Sequence, residues 1–264
     1  MGKISKKEIV RRIIFYVSLI VFVVCAVKLF GIFKGYYDNK KSYDIVRQYA
    51  PQETHPSEES GNNSDNNVAK TKPLFVFSKE NYDKLLSINS DFKAWLYIPD
   101  TEISYPVVQT TDNDYYLTHN FDKEKNSGGA IFISSNNEKP FEDENTIIHG
   151  HHMRDGSMFA SLMNFKEESF AKNTPIYVNT KDKLLQYEVF SVFYETANND
   201  SYQNGFASEA EFLSYANTLK SKSMFNLGRD LTATDKIITL STCDYDVDDG
   251  RLLVCAKLVS SKDY

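Results

Sequence analysis

The 264 residues are 41% hydrophobic and 25% charged, the balance of an ordinary folded protein rather than of a disordered or fibrous chain. The net charge of −6 is unevenly spread: residues 1–33 hold six of the 30 basic residues and one of the 36 acidic ones, leaving 24 against 35 in the remainder. A body that acidic is a poor partner for a phosphate backbone, which argues against nucleic-acid binding.

Residues 13–33 (IIFYVSLIVFVVCAVKLFGIF) form the first element. As a helix of 21 residues they span about 31 Å, close to the hydrocarbon thickness of a bilayer. Lys28 interrupts the run near its outer end, where its ammonium can snorkel to the interface. The basic cluster before Ile13 places residues 1–12 in the cytoplasm and everything after Phe33 outside the cell. A cleaved signal peptide would have a shorter apolar core ending in a clear small-x-small site. Residues 34–50 can continue as helix outside the membrane. Residues 51–72 (PQETHPSEESGNNSDNNVAKTK) have almost no large apolar side chains and read as a tether, so 34–72 is expected to be an extracellular stalk.

The folded domain is expected over 73–264. Ser78 caps a helix running to about residue 90. Short β-type runs then dominate (AWLYI, ISYPVVQ, GAIFIS, NTIIHG, PIYVN, LLQYEVFSVFYET, KIITLST and RLLVCAKLV), separated by Gly, Pro, Asn and Asp clusters. About eight strands predict a mainly β protein built as a barrel or sandwich. A short helix is expected from 156 to about 164. A longer one is expected near 208–222, where Ser208 and Glu211 form a capping box ahead of Phe212, Tyr215, Ala216 and Leu219.

The cysteines do not form a disulfide framework, because Cys25 lies in the apolar run and leaves one possible pair, Cys243 with Cys255. Cys243 ends a predicted strand in which Thr239, Ser241 and Cys243 share a face. Position alone allows two readings of it, a reactive thiol displayed at a strand end and a buried inert one. Cys255 sits inside an apolar strand and reads as a small packed hydrophobe. If the strands on either side of DYDVDDG pair as a hairpin, Arg251 falls beside Cys243, where it could lower the thiol pKa and bind an oxyanion. A strand-edge arginine paired with a loop aspartate is the plainer alternative.

Three of the five histidines cluster in IIHGHH (residues 147–152), at the end of an apolar run suited to presenting an imidazole. His55 and His119 read as solvated or structural. Zinc would need three or four convergent ligands, and no second cluster is spaced to supply them. The loop from Asp244 resembles the first half of a calcium-binding EF-hand, but its glycine is seventh rather than sixth and Cys255 stands where the twelfth-position glutamate belongs.

Taken together, TLSTC (239–243), Arg251 eight residues later, and the preceding GHHM (150–153) resemble the class B sortases of Gram-positive bacteria. AWLYIPDTEISYPVVQTTDNDYYLTHNF (94–121), GGAIFIS (128–134) and HGHHMRDGSMF (149–159) extend the similarity over nearly the whole domain, and the helix near 208–222 fits one that class B members carry. The resemblance implies a closed sortase-type β-barrel and a membrane-anchored cysteine transpeptidase. It makes Cys243 the nucleophile, His151 the acid/base group and Arg251 the electrostatic clamp, with Ser241 lining the substrate site. It implies no metal or organic cofactor. Its expected partners are secreted proteins bearing a C-terminal sorting motif, cleaved after Thr, and a lipid-linked peptidoglycan precursor supplying the acceptor amine. A surface cysteine peptidase or wall hydrolase that passes the acyl group to water is the alternative, disfavoured because such peptidases usually place Cys before His. A binding module with an incidental cysteine is a second.

Overall fold

In a computed structural model, which describes residues 6–54, 74–196, 200–243 and 250–264, the chain opens with a 42-residue helix, α1 (Lys6–Arg47). Its apolar stretch is exposed along its whole length and is long and apolar enough to cross a membrane. The helix then runs on without a break. Asn39, Ser42, Tyr43 and Val46, spaced as one helical face, are buried against the rest of the molecule. The composition-based reading put 34–72 in a stalk; the end of α1 is instead packed into the folded body, because that one face carries the groups to do so. Of the tether read at 51–72, residues 55–72 lie outside the described residues, as does the loop 244–249.

Two short strands, β1 (Gln52–Thr54) and β2 (Leu74–Val76), pair antiparallel as a ribbon that the sequence reading did not include. Helix α2 (Lys79–Ile88) begins where expected, with the Ser78 hydroxyl accepting the Asn81 N–H at 3.1 Å. The eight predicted runs form β3 (Phe92–Tyr97), β4 (Ser104–Val108), β5 (Ile131–Ile133), β6 (Asn145–His149), β7 (Ile176–Asn179), β8 (Lys183–Thr196), β9 (Ile237–Cys243) and β10 (Gly250–Asp263). They close a barrel in the order β10-β8-β7-β3-β4-β5-β6-β9, completed by the β9–β10 hairpin. Two seams are parallel, β4 with β5 and β6 with β9.

Alternation along the strands separates the barrel interior from its outer wall. On β10, Leu252, Val254 and Ala256 join the main core with Trp95, Tyr105 and Phe165, while Leu253 and Cys255 face outward into a second cluster. That cluster is roofed by α4, which follows α3 (Glu168–Asn173) and spans Glu209–Ser221. Phe212, Tyr215, Ala216 and Leu219 are its buried face, as their spacing predicts. Burying a large apolar side chain contributes roughly 1.5–3 kcal/mol, so these residues hold α4 firmly on β8 and β10. The Ser208 hydroxyl accepts from Glu211 N at 3.2 Å, and the Glu211 carboxylate accepts from Ala207 N at 2.7 Å.

The short helix expected from 156 does not form there. Gly156 and Met158 have φ of 86° and 57°, which a right-handed helix cannot contain. Helical backbone starts later, as a 3-10 segment over Ala160–Lys166, followed by α3.

Candidate active site

Residues of four adjacent strands build the floor of a cleft of about 680 Å³. Phe132 comes from β5, Ile147 and His149 from β6, Ser241 and Thr242 from β9, and Arg251 from β10. Gly150, His151, Tyr202 and the segment around Asn113 to Leu117 form its rim. Three residues expected at the site, His151, Ser241 and Arg251, are thereby gathered in one place, with His149 beside them. All four line this cleft, although His149 and Arg251 are 102 positions apart in the chain.

Strand register sets their spacing. On the β9–β10 hairpin, Arg251 lies directly opposite Cys243, Leu253 opposite Ser241 and Cys255 opposite Thr239. Cys243 is the last residue of β9, at the cleft end of the hairpin. Strand β6 runs parallel to β9 with His149 level with Ser241, and the Gly150 N–H donates to the Ser241 carbonyl at 3.2 Å. β6 ends at His149, and His151 follows two residues beyond it, on the same side of the barrel as the end of β9. Neighbouring strands lie about 4.8 Å apart, so β9 and β10 set Cys243 beside Arg251, and the segment after β6 brings His151 to the cleft that Arg251 lines.

The His151 ring is oriented by a backbone acceptor. Its Nε2 lies 2.7 Å from the carbonyl oxygen of Leu117. A carbonyl can only accept, so Nε2 carries a hydrogen and donates it to Leu117. The Phe159 N–H donates to the His151 carbonyl at 2.8 Å and fixes the backbone beneath the ring.

His149 has a different environment. Its ring lies between Phe132, at 5.2 Å between centroids, and Tyr202, at 5.9 Å. Burial, and secondarily the positive charge of Arg251, push it from 6.5 down to about 4, which keeps it neutral at physiological pH. It can pack and accept, but cannot act as a general acid there. His152 is tied into a β-bridge with Met158. His119 stacks on Tyr115 at 4.1 Å, with Nδ1 2.8 Å from the Tyr115 carbonyl, a structural role.

Ser241 is buried, and its hydroxyl is 3.0 Å from the Tyr202 hydroxyl. Tyr202 is a site residue that sequence reasoning missed, since NDSYQNG carries no motif and the contact spans 39 residues. The Leu117 carbonyl was missed too, because a backbone acceptor leaves no signature in residue type.

Cys255 is fully buried under α4, 3.7 Å from the Thr239 hydroxyl, and burial pushes its thiol up to about 12. It lies four register positions from Cys243 along the hairpin, about 13 Å at 3.3 Å per residue. That is well beyond the roughly 7 Å a disulfide spans. Among the described residues no group of three or more His, Cys, Asp or Glu converges as a metal site would require.

Comparison with known proteins places this geometry. A family model of the sortase domain matches residues 96–259. Sortase B of Listeria monocytogenes is 40% identical over 180 residues, covering 67% of this chain and 73% of the relative. The crystal structure of sortase B from Bacillus anthracis in complex with AAEK1 superposes with a TM-score of 0.70 at 33% identity, over 86% of this chain and 99% of that one. A Staphylococcus aureus sortase B–substrate complex superposes at 0.64 with 31% identity, over 69% and 86% of the two chains. The fold, the cleft and the chain that builds them thus belong to the sortase family, and within it to class B, whose members are cysteine transpeptidases.

Proposed function

We propose that this sortase uses Cys243, His151 and Arg251 to cleave a C-terminal sorting motif of secreted proteins after Thr, and to join the Thr acyl group to an amine of a lipid-linked peptidoglycan precursor. The observation that carries the reading is the register that pairs Arg251 with Cys243, together with the cleft that His151 and Arg251 both line.

The Cys243 thiolate attacks the Thr carbonyl carbon, and the oxygen takes the negative charge. Arg251, always cationic and with a fork of donors, stabilises that oxyanion. As the tetrahedral intermediate collapses, the C–N bond breaks and the departing amine takes a proton from His151 Nδ1. A thioester on Cys243 remains. The acceptor amine attacks it, His151 takes back a proton from the incoming nitrogen, and the C–S bond breaks to release thiolate and the new amide. Ser241, held by Tyr202, shapes the substrate side of the cleft. Each step is acid–base and acyl chemistry that these side chains can carry, with no cofactor in the scheme.

Residues 13–33 anchor the enzyme in the membrane with residues 1–12 in the cytoplasm and the barrel outside, supported by the length and exposure of the apolar helix and by the basic residues before it. Enzyme and membrane-held substrate then share one surface, which raises their effective concentration.

The test uses the full chain in detergent micelles with quenched peptides bearing different sorting motifs, with and without added amines. A motif-dependent product joined to the amine, absent in Cys243→Ala, supports the proposal. Release of free acid alone, with several amines supplied, would replace it with the hydrolase.

A further inference from the structure

The buried end of α1 touches the segment that orients His151. Tyr43, 2% exposed, donates its hydroxyl to the carbonyl of Gly129 at 2.9 Å. Burial pushes this phenol well above its usual range, so it stays protonated and stays a donor. Asn39, one turn earlier, lies so close to Gly128 that a Cβ there would come within 2.6 Å of its Nδ2. Gly129 is wedged against both partners of the His151 hydrogen bond. Its φ is +58°, and a Cβ at this position would lie 2.4 Å from the Tyr116 carbonyl, 3.0 Å from the Leu117 carbonyl and 3.2 Å from His151 Cδ2. The Ala130 N–H, next in the chain, donates to the Tyr116 carbonyl at 2.9 Å and locks the two segments together.

A second path runs underneath. The Tyr43 ring meets Tyr105 edge-on at 5.1 Å, and the Tyr105 hydroxyl accepts the Met158 N–H at 3.0 Å. Asn39 Nδ2 lies 3.8 Å from Met158 Sδ. Phe159, the next residue, holds the His151 carbonyl. Both the ring and the backbone of His151 are therefore braced by groups that α1 itself contacts.

We infer that the juxtamembrane end of α1 is a positioning element of the acyl-transfer site, in which Tyr43 fixes the His151 imidazole through Gly129 and the Leu117 carbonyl. This rests on His151 as the acid/base group. The ring's tautomer and tilt are set by the hydrogen bond on its far nitrogen, so a shift of the Leu117 carbonyl re-aims Nδ1. Tyr43 touches no substrate; it acts through the two segments between it and the imidazole. Because α1 is continuous from the apolar run to Tyr43, the helix that passes through the membrane is the one that braces the base.

The deciding experiment takes the full chain in micelles, labelled with nitrogen-15 histidine, and compares wild type with Tyr43→Phe. The variant keeps the ring and loses the hydroxyl. The His151 Nε2 resonance, assigned by its loss in His151→Gln, is expected to shift, and kcat to fall about three- to tenfold with KM within about twofold. Val46→Ala removes volume from the same buried face and no hydrogen bond. It is expected to lower Tm while leaving the His151 resonance and kcat unchanged. An unmoved His151 resonance in Tyr43→Phe overturns the inference, as does the same resonance shift and kcat loss in Val46→Ala. Should the wild type form no amine-joined product, the functional proposal falls, and the nitrogen resonance still decides the coupling on its own.

Discussion

The imidazole of His149 lies almost face to face with the ring of Tyr202, centroids 5.9 Å apart and planes 27° from parallel. Folding holds His149 near 4, against 6.5 for the exposed group. Between these values the unfolded chain binds a proton that the folded one refuses, so stability falls as pH is lowered from about 6.5 towards 4 and is insensitive to this residue above 6.5. Calorimetry should show Tm dropping through that window. In His149→Phe, which keeps an aromatic ring in the stack, the drop should flatten. An identical pH profile in the variant would mean that another group carries the effect.

The site residues should separate by role. Cys243→Ala is expected to remove turnover and the thioester intermediate seen by mass spectrometry. His151→Ala should retain a slow thioester step, with kcat lower by about 10²- to 10⁴-fold. Arg251→Lys keeps the charge but not the planar fork, and should lose roughly 10²-fold or more in kcat. Recovery of near-normal rates in Arg251→Lys would reduce the arginine to a point charge.

Cys255 is expected to be silent. Fully buried and raised to about 12, its thiol should take no label from iodoacetamide in the folded protein, as read by peptide mapping. Cys255→Ala should leave kcat unchanged and cost about 1–2 kcal/mol in denaturant unfolding through the small cavity under α4.

Gly129→Ala puts a methyl group where φ is +58° and the Tyr116 carbonyl is 2.4 Å away. Backbone strain of this kind costs about 1–3 kcal/mol before the clash is counted. Unfolding curves should show at least that loss, together with a fall in kcat, because the displaced carbonyls are those beside His151. A variant as stable and active as wild type would show that the segment yields freely.

Much of this was legible in residue order. The eight barrel strands follow from short β-branched and aromatic runs between turn formers, and α4 from Ser208, Glu211 and the spacing of Phe212, Tyr215, Ala216 and Leu219. These are local signals. The ribbon of β1 and β2 was not, because its partners are three residues each with nineteen between them, and pairing across such a gap leaves no periodic pattern. The helix expected from residue 156 failed on backbone angles at Gly156 and Met158 that composition does not report. In the cleft, residue type drew attention to the histidine cluster and, more weakly, to Arg251; the resemblance to class B sortases singled out His151 and Ser241. Tyr202 and the Leu117 carbonyl became visible once the barrel had closed and brought distant segments together. His149 and His151 look alike in sequence; burial in an aromatic stack separates them.

The unbroken α1 also sets an altitude. Gly35 already sits beside Ser127, its Cβ position 3.7 Å from that hydroxyl, two residues and about 3 Å of rise beyond Phe33. Under the membrane anchoring proposed above, the barrel would rest on the lipid headgroups, free to turn about the helix axis and drift sideways but not to rise. The cleft then sweeps a ring at constant height. On the proposed reading, a substrate held in the same membrane would meet it where its scissile bond stands at that height, so the number of residues between that substrate's anchor and its cleavage point would be a length the enzyme gauges.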